Sequence, residues 1–502
     1  MTRLAAPAAV AVVGAGTMGA GIAQVAALAG HPVLLLDSAP GRADAAVDQV
    51  RATLDRLVDR GRLERDAAAG AQARLAAAPS VGWLGGSALV IEAVAETLAV
   101  KRDLLTALED VVDTDCVLAT NTSSLSVTDV AAELRHPARC VGLHFFNPAP
   151  VMRLVEVVSG SRTDPAVAAQ VADLVTAWGK TPVHVRSAPG FVVNRVARPF
   201  YGEAMRLLDE GLDPATLDAV LREGGGFPMG PLELADLIGQ DINLATTRSV
   251  WEQTGDPRFE PAAAQVALVA EGRLGRKTGR GFYDHEAGPP PPVSAPAQAA
   301  PGHVRVRGDW GPWTPLWDRL REAGVDVSFD GDGTGEPLAD LDGGVLVPTD
   351  GRPAADRATS TGDPAVVLDL VGDPVTARRW AIAASDGCPE AVVDQAVGLL
   401  QRTGADVSVL PDVPGLLVAR TVALLVDEAC DVVARGVARA DDVDTALRRG
   451  AGHPWGPLEW GDRVGPQRVA ALLDALAATS GRYRVSQALR DAAGTGRSLH
   501  EL

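Results

Sequence analysis

The sequence predicts a doubly wound α/β domain, an all-α domain, a shortened α/β segment and a second all-α domain, in that order. Three observations predict this. The apolar run AAVAVV (8–13) meets the glycine series GAGTMGAG, then a helical pattern, then a second apolar run. From Pro189 the chain changes to helical periodicity. Finally, part of that helical stretch recurs further along at constant spacing.

The elements follow one another clearly. After the glycines, Ile22, Val25, Ala26 and Leu28 lie on one helical face, Gly30 closes the helix, and PVLLLD reads as a second buried strand ending at Asp37. Strand, glycine turn, helix, strand and acidic residue form the opening unit of a Rossmann-type domain. Residues 41 to 78 are rich in Arg, Ala and Asp and read as a helical pair projecting from the sheet. Strands resume at ALVIEAV (88–94), CVLATN (116–121), CVGLHFF (140–146), MRLVEVV (152–158) and TPVHVR (181–186). This first domain covers 1–188, and a helical domain covers 189–285. Residues 286–302, EAGPPPPVSAPAQAAPG, read as an extended linker with polyproline character.

The repeat organises the remainder. Gly179, Pro189, Gly190, Arg195, Glu203 and Gly211 match Gly404, Pro414, Gly415, Arg420, Glu428 and Gly436 at one offset. After a one-residue insertion, FPMGPLELADLIG (227–239) matches HPWGPLEWGDRVG (453–465). Hence 414–502 reads as a second copy of the helical domain. Residues 303–413 read as a degenerate Rossmann-like domain in which GDWGPW replaces the glycine fingerprint. The offset puts Asp369 at the position of His144 and Ala381 at that of Glu156, so the second half keeps the scaffold and lacks the chemistry.

Composition narrows the function classes. Of 502 residues 47% are apolar and only 4% aromatic, so the cores are built from Ala, Val and Leu. A formal net charge of −18 argues against nucleic-acid binding and makes any anionic ligand depend on local cations or helix N-termini. No apolar run is long enough to cross a bilayer, and the N-terminus lacks a secretory pattern. The four cysteines lack metal or redox spacing. A cytoplasmic enzyme without membrane or nucleic-acid partners is expected.

Gly14, Gly16 and Gly19 supply G-x-G-x-x-G between a strand and a helix, a dinucleotide-binding pattern. Asp37 at the next strand end would accept hydrogen bonds from a ribose diol and repel a 2′-phosphate, which favours NAD. Glu96 and Lys101 follow another strand end, at the rim where ligands bind in such sheets; a surface ion pair is the plainer reading. In NTSSL (121–125), Asn121 or Thr122 would cap a helix and Ser123 would offer a hydroxyl. His144 and Glu156 stand on successive strands in an otherwise apolar stretch. A carboxylate beside an imidazole orients the ring and strengthens it as a proton acceptor, which suits alcohol oxidation. Asn194 could close the site.

The segments VGAGTMGAGIAQVAALAG, NTSSLSVTDVA, GLHFFNPAPVMRLVEVV, PGFVVNR and FPMGPLELADLIG resemble the L-3-hydroxyacyl-CoA dehydrogenase family over residues 8–285. The resemblance implies His144 as general base with Glu156 its partner, and Ser123 and Asn194 in contact with substrate. It also implies Asn147 in the active-site segment, and Asp37, Glu96 and Lys101 around NAD. Thr53 and Arg60 on the helical pair are implied as contacts for coenzyme A. The substrate would be a (3S)-3-hydroxyacyl-CoA, short-chain or dicarboxylic by analogy with long members. Short members pair through their helical domains. In the second copy VAR replaces VNR, with Ala419 at the place of Asn194. The chain is therefore expected to act as a monomeric pseudo-dimer or a homo-oligomer, with a regulatory or assembly role for the second half as the alternative. Two other functions stay open: a dehydrogenase of a free hydroxy or sugar acid, and a non-catalytic NAD-binding structural protein.

Overall fold

In the computed structural model, which describes residues 4–331 and 333–502, the first apolar run becomes β1 (Val10–Val13) and the second β2 (Val33–Leu36). With β3 (Leu75–Ala77), β4 (Leu89–Glu92), β5 (Val117–Thr120), β6 (Cys140–Phe145), β7 (Leu154–Ser159) and β8 (Thr181–Arg186) they form one sheet, ordered 3-2-1-4-5-6-7-8. Neighbours are parallel except β6 and β7, which run antiparallel. Strands covered on both faces read as continuous apolar runs, which is why VAVV and VLAT lack alternation.

This sheet belongs to one of two compact units, formed by Met1–Arg195 together with Gly436–Ala451. Helix α1 (Thr17–Leu28) follows the glycine turn, and α2 (Arg42–Asp59) and α3 (Arg65–Arg74) form the expected pair. The pair does not project, however. Ala43, Ala46, Val47, Val50 and Leu54 make a small apolar stripe that joins the core containing Ile22 of α1. The chain then returns as β3, a strand hidden in the sequence by its alanines. The later segment packs within the same unit: Arg186 N donates to Val437 O at 2.7 Å, helix Ala440–Ala446 lies against β8, and the π-helical turn Leu447–Ala451 lies against β7.

The other unit comprises Val196–Arg435 and Gly452–Leu502. Its sheet contains β9 (His303–Arg307), β10 (Asp326–Asp330), β11 (Leu338–Leu341), β12 (Gly344–Pro348), β13 (Ala365–Leu368), β14 (Arg379–Ala384) and β15 (Asp406–Val409), ordered 10-9-11-12-13-14-15. β11 and β12 form a two-residue hairpin through Asp342 and Gly343, the latter at φ 83°. That Asp-Gly signal stands in the sequence between two apolar runs. The Pro-rich segment is docked along β15: Ala295 N donates to Val407 O and Ser408 Oγ to Val293 O. An extended segment without its own ladder can use the free edge of that strand.

The helices of 198–270 share this second unit with those of 418–434 and 457–495, and charged side chains join them. Arg420 meets Glu203 at 2.8 Å and Glu210 at 3.1 Å, while Arg258 meets Asp427 at 2.7 Å and Glu428 at 3.0 Å. Arg258, Asp427, Arg420 and Glu203 are all buried, so each charge depends on its partner being in place. Such pairs fix the register of two helices more than they add net stability. No helix among the described residues is long and apolar enough to cross a membrane.

Candidate active site

The glycine turn separates the three glycines by role. At Gly14, φ is 104°, and a Cβ would lie 2.5 Å from Ala93 O. A Cβ on Gly19 would lie 1.7 Å from Gly14 O, so α1 packs directly on the turn. Gly16 caps α1 without a side-chain hydrogen bond, and a Cβ there would meet only Arg42 Nη2, at 3.9 Å. Two glycines close the turn and the third leaves room beside a helix N-terminus, the arrangement a pyrophosphate needs. Asp37 stands at the end of β2, where Oδ2 accepts from Ala15 N and Oδ1 from Ala39 N. Burial alone would raise its pKa, but these N–H groups and Arg42 hold the carboxyl below its ordinary value. It is therefore an anion with spare lone pairs at the strand end.

At the rim beyond β4 and β5 the lysine and glutamate are paired, with the lysine buried. Lys101 is 1% exposed, and its ammonium is engaged by Glu92 at 2.7 Å, by Val94 O and by Glu96 at 3.2 Å. The buried carboxylate of Glu92 draws it inward, so the ion pair expected at the surface is a buried one. Its effect there is to hold Glu96. Glu96 Oε1 accepts from Thr122 Oγ1 at 2.6 Å and from the backbone N–H groups of Ser123 and Ser124. Burial would raise Glu96, but Lys101 and these donors keep it below the usual carboxylate range. Glu96 thus ties the NTSS loop to β4. Asn121 is not a helix cap: its Oδ1 accepts from Phe145 N at 2.8 Å, while Ser126 caps the short helix that follows.

His144 and Glu156 are register partners on β6 and β7. Their side chains on the paired strands meet at 2.6 Å between His144 Nδ1 and Glu156 Oε2. His144 is 5% exposed and Glu156 fully buried. Glu156 Oε1 accepts from Val192 N and Val193 N, both at 3.0 Å, so every acceptor oxygen is used. With Nδ1–H donating to the carboxylate, the Nε2 lone pair remains to take a proton. The rings of Phe146 and Phe191 pack on the imidazole at 4.5 and 5.8 Å between centroids. Phe191 holds φ at 50°, unusual for a side-chain-bearing residue, and this turn aims the two N–H groups at Glu156. Asn194 follows at once, its Nδ2 3.4 Å from Ser123 O. Ser123, His144, Glu156 and Asn194 are brought together.

A cavity of about 410 Å³ lies between α1, α2 and the loop after β6. Thr53 and Asn147 line it, as do Arg42 and Gln49. Arg60 does not: it is the exposed C-cap residue of α2, two turns beyond Thr53. The cation in the cavity is Arg42, which sequence reasoning missed. Its signal was legible, because Arg42, Ala45, Ala46, Gln49, Val50 and Thr53 repeat at three and four residues.

Similarity to known proteins accords with this geometry. The family model for the NAD binding domain of 3-hydroxyacyl-CoA dehydrogenase matches residues 9–188, and that for its C-terminal domain matches both 190–285 and 415–498. A model described as the reduced Rossmann-fold domain of 3-hydroxybutyryl-CoA dehydrogenase matches 346–414. The chain is 43% identical over 492 residues to 3-hydroxyadipyl-CoA dehydrogenase of Escherichia coli K12, covering 96% of this chain and 97% of that one. It is 40% identical over 276 residues to a probable 3-hydroxybutyryl-CoA dehydrogenase of Bacillus subtilis, covering 55% and 96%. Among solved structures, 3-hydroxybutyryl-CoA dehydrogenase from Escherichia coli K12 superposes with a TM-score of 0.89 at 41% identity, covering 97% and 98%.

Proposed function

The chain belongs to the 3-hydroxyacyl-CoA dehydrogenase family, NAD-dependent oxidoreductases, and on that premise we propose that it oxidises short-chain or dicarboxylic (3S)-3-hydroxyacyl-CoA thioesters to 3-oxoacyl-CoA. The observation that carries this reading is the 2.6 Å His144–Glu156 pair, built into the same sheet as the glycine turn. When bound, the nicotinamide supplies the hydride acceptor. Gly16 and the N-terminus of α1 hold the dinucleotide phosphates, and Asp37 holds the adenosine ribose. His144 Nε2 takes the hydroxyl proton as the carbonyl forms, and Glu156 balances the imidazolium charge. Ser123 and Asn194 orient the substrate oxygen. Thr53, Asn147 and Arg42 contact the coenzyme A portion, Arg42 being a local cation in an acidic protein. The reaction belongs in fatty acid oxidation or in degradation of aromatic compounds through acyl-CoA thioesters, in the cytoplasm.

We infer further that the helical module is duplicated and that the buried ion pairs between its copies replace a subunit contact, giving a monomer that works as a pseudo-dimer. The test of function is NADH formation with 3-hydroxybutyryl-CoA, 3-hydroxyadipyl-CoA and longer 3-hydroxyacyl-CoAs. Turnover of at least one is expected, together with a His144→Gln enzyme slowed by a factor of about 10² to 10⁴. Turnover of a free hydroxy acid, with none of the thioesters oxidised, would overturn the proposal.

A further inference from the structure

The second unit contains a partly open cavity of about 390 Å³ that the proposed reaction does not use. Its walls are mainly apolar: Trp313, Leu370, Val422 and Leu472 surround it. At one end stand Thr349 and Asp350, where β12 finishes, and Arg357. The location is informative. β12 pairs with β13 as β5 pairs with β6, which puts Thr349 and Asp350 at the register positions of Thr122 and Ser123. Leu370 and Ala419, both in the lining, stand at the offset positions of Phe145 and Asn194. The cavity therefore occupies, in the second sheet, the place that the proton-handling cluster occupies in the first.

What it could bind follows from its lining. The loop after β9 carries Trp310 and Trp313, both buried, where the first sheet has its glycine turn, so the backbone room that glycines give a pyrophosphate is missing. The Arg357 guanidinium is 3% exposed, and Nη1 meets Glu336 at 2.7 Å and Asp350 at 3.0 Å. Its Nε has no acceptor among the described residues. Asp309 and Arg468, themselves an ion pair, also line the cavity, so its charged groups are paired with one another. A mainly apolar cavity with Thr349 and a buried guanidinium in its lining suits an aliphatic chain with one oxygen-bearing head. Taking about 30 Å³ for an atom of water size, the space holds about a dozen non-hydrogen atoms.

We propose that the second unit binds a medium-length aliphatic acyl group in this cavity, its carbonyl or carboxylate oxygen toward Arg357 and Thr349, without chemically changing it. Among the described residues its lining holds no imidazole to accept a proton, and the role proposed is binding. Free acid and thioester share the recognised chemistry.

The experiment titrates the full-length enzyme, saturated with NAD, with octanoate and separately with octanoyl-N-acetylcysteamine. Tryptophan fluorescence and calorimetry report binding. Saturable binding of at least one is expected, undiminished in a His144→Gln enzyme and weakened at least tenfold by Ala423→Phe, which enlarges a residue of the lining and fills the cavity. Ala423→Phe should leave kcat on the 3-hydroxyacyl-CoA substrate unchanged. Leu472→Trp provides a second cavity-filling variant should the first fail to fold. Tighter binding of the acid or of the thioester identifies the source of the acyl group. Absence of saturable binding by either probe, or binding that survives filling of the cavity, would overturn the proposal.

Discussion

The turn after the last strand of each sheet is built in the same way, but the carboxylate that holds it comes from a different strand. In the first unit Phe191 adopts φ 50°, and Val192 N and Val193 N donate to Glu156 on β7. In the second, Leu416 adopts φ 51°, and Leu417 N and Val418 N donate to Asp369, which follows β13. Asp369 stands at the offset position of His144, and its N–H donates to Ala381 O, at the position of Glu156. Side by side, the two turns show that Glu156 has two separable tasks. One oxygen anchors a strained turn, and the other orients an imidazole. The second unit keeps the anchor, moves it to the neighbouring strand and discards the imidazole. A buried pair of N–H groups must have an acceptor, and that requirement is met in both units.

The strongest way to break this comparison is Glu156→Gln. The amide oxygen can still accept from Val192 N and Val193 N, so the fold is expected to hold. Its NH₂ must then donate to His144 Nδ1, which forces the ring proton onto Nε2 and removes the base. We expect kcat to fall by a factor of about 10³ to 10⁴, as when a catalytic imidazole is held in the wrong tautomer. Steady-state NADH formation measures this, with circular dichroism as the control. A Gln enzyme within tenfold of the parent would show that the carboxylate does not set the ring.

A smaller effect is expected from the π-helical turn Leu447–Ala451. A Cβ on Gly450 would lie 2.4 Å from Leu154 Cδ2 and 3.2 Å from Val193 Cγ2, and Val193 is one of the two donors to Glu156. Gly450→Val should therefore push on the carboxylate cradle and lower kcat roughly tenfold, with a displacement well under an ångström. The counterpart in the second unit is Gly224, whose Cβ would lie 2.8 Å from Arg379 O. Gly224→Val should lower the unfolding midpoint and leave kcat within twofold of the parent, by the rule that distant, independent sites add. Equal kcat losses in both variants would mean that Gly450 acts through general packing alone.

Much of this was legible in the sequence, and the parts that were not share a cause. The glycine turn, the strand-end aspartate and the His–Glu spacing are local patterns, so each could be read from residues close together. The reading failed where a distant group decides an outcome. Lys101 and Glu96 look like a surface ion pair, but Glu92, nine positions before Lys101 and on the strand, draws the ammonium inward. Arg42 and Arg60 share one face of α2, about five turns apart, and only the fold shows that Arg42 is the one lining the cavity. β3 was invisible because Leu-Ala-Ala has no strand propensity of its own and is set by pairing with β2. Asp369 is the instructive case. The offset placed it correctly, but loss of chemistry in that half did not reveal that it had become the turn's anchor.

Asp369→Asn separates anchoring from catalysis with the smallest effect on activity. Asp369 accepts from Leu370 N and Ala419 N at Oδ1 and from Leu417 N and Val418 N at Oδ2. An asparagine can satisfy one side only, because its NH₂ would face two N–H groups on the other. A loss of about 1–3 kcal/mol is expected from donors left without an acceptor, with kcat unchanged. The pH dependence sharpens the test. Burial pushes the carboxyl up to about 6, above the 3.8 of an unperturbed aspartate, although the four N–H groups pull the other way. A folded value above the unfolded one means that the folded state binds the proton more tightly. The associated stability is fully present below pH 3.8 and is lost as pH rises through about 6. The parent minus Asp369→Asn difference in unfolding midpoint should therefore shrink as pH rises through that window. A difference that instead grows with pH would mean that the N–H donors outweigh burial and that Asp369 is a low-pKa carboxylate, anchoring the turn as an anion.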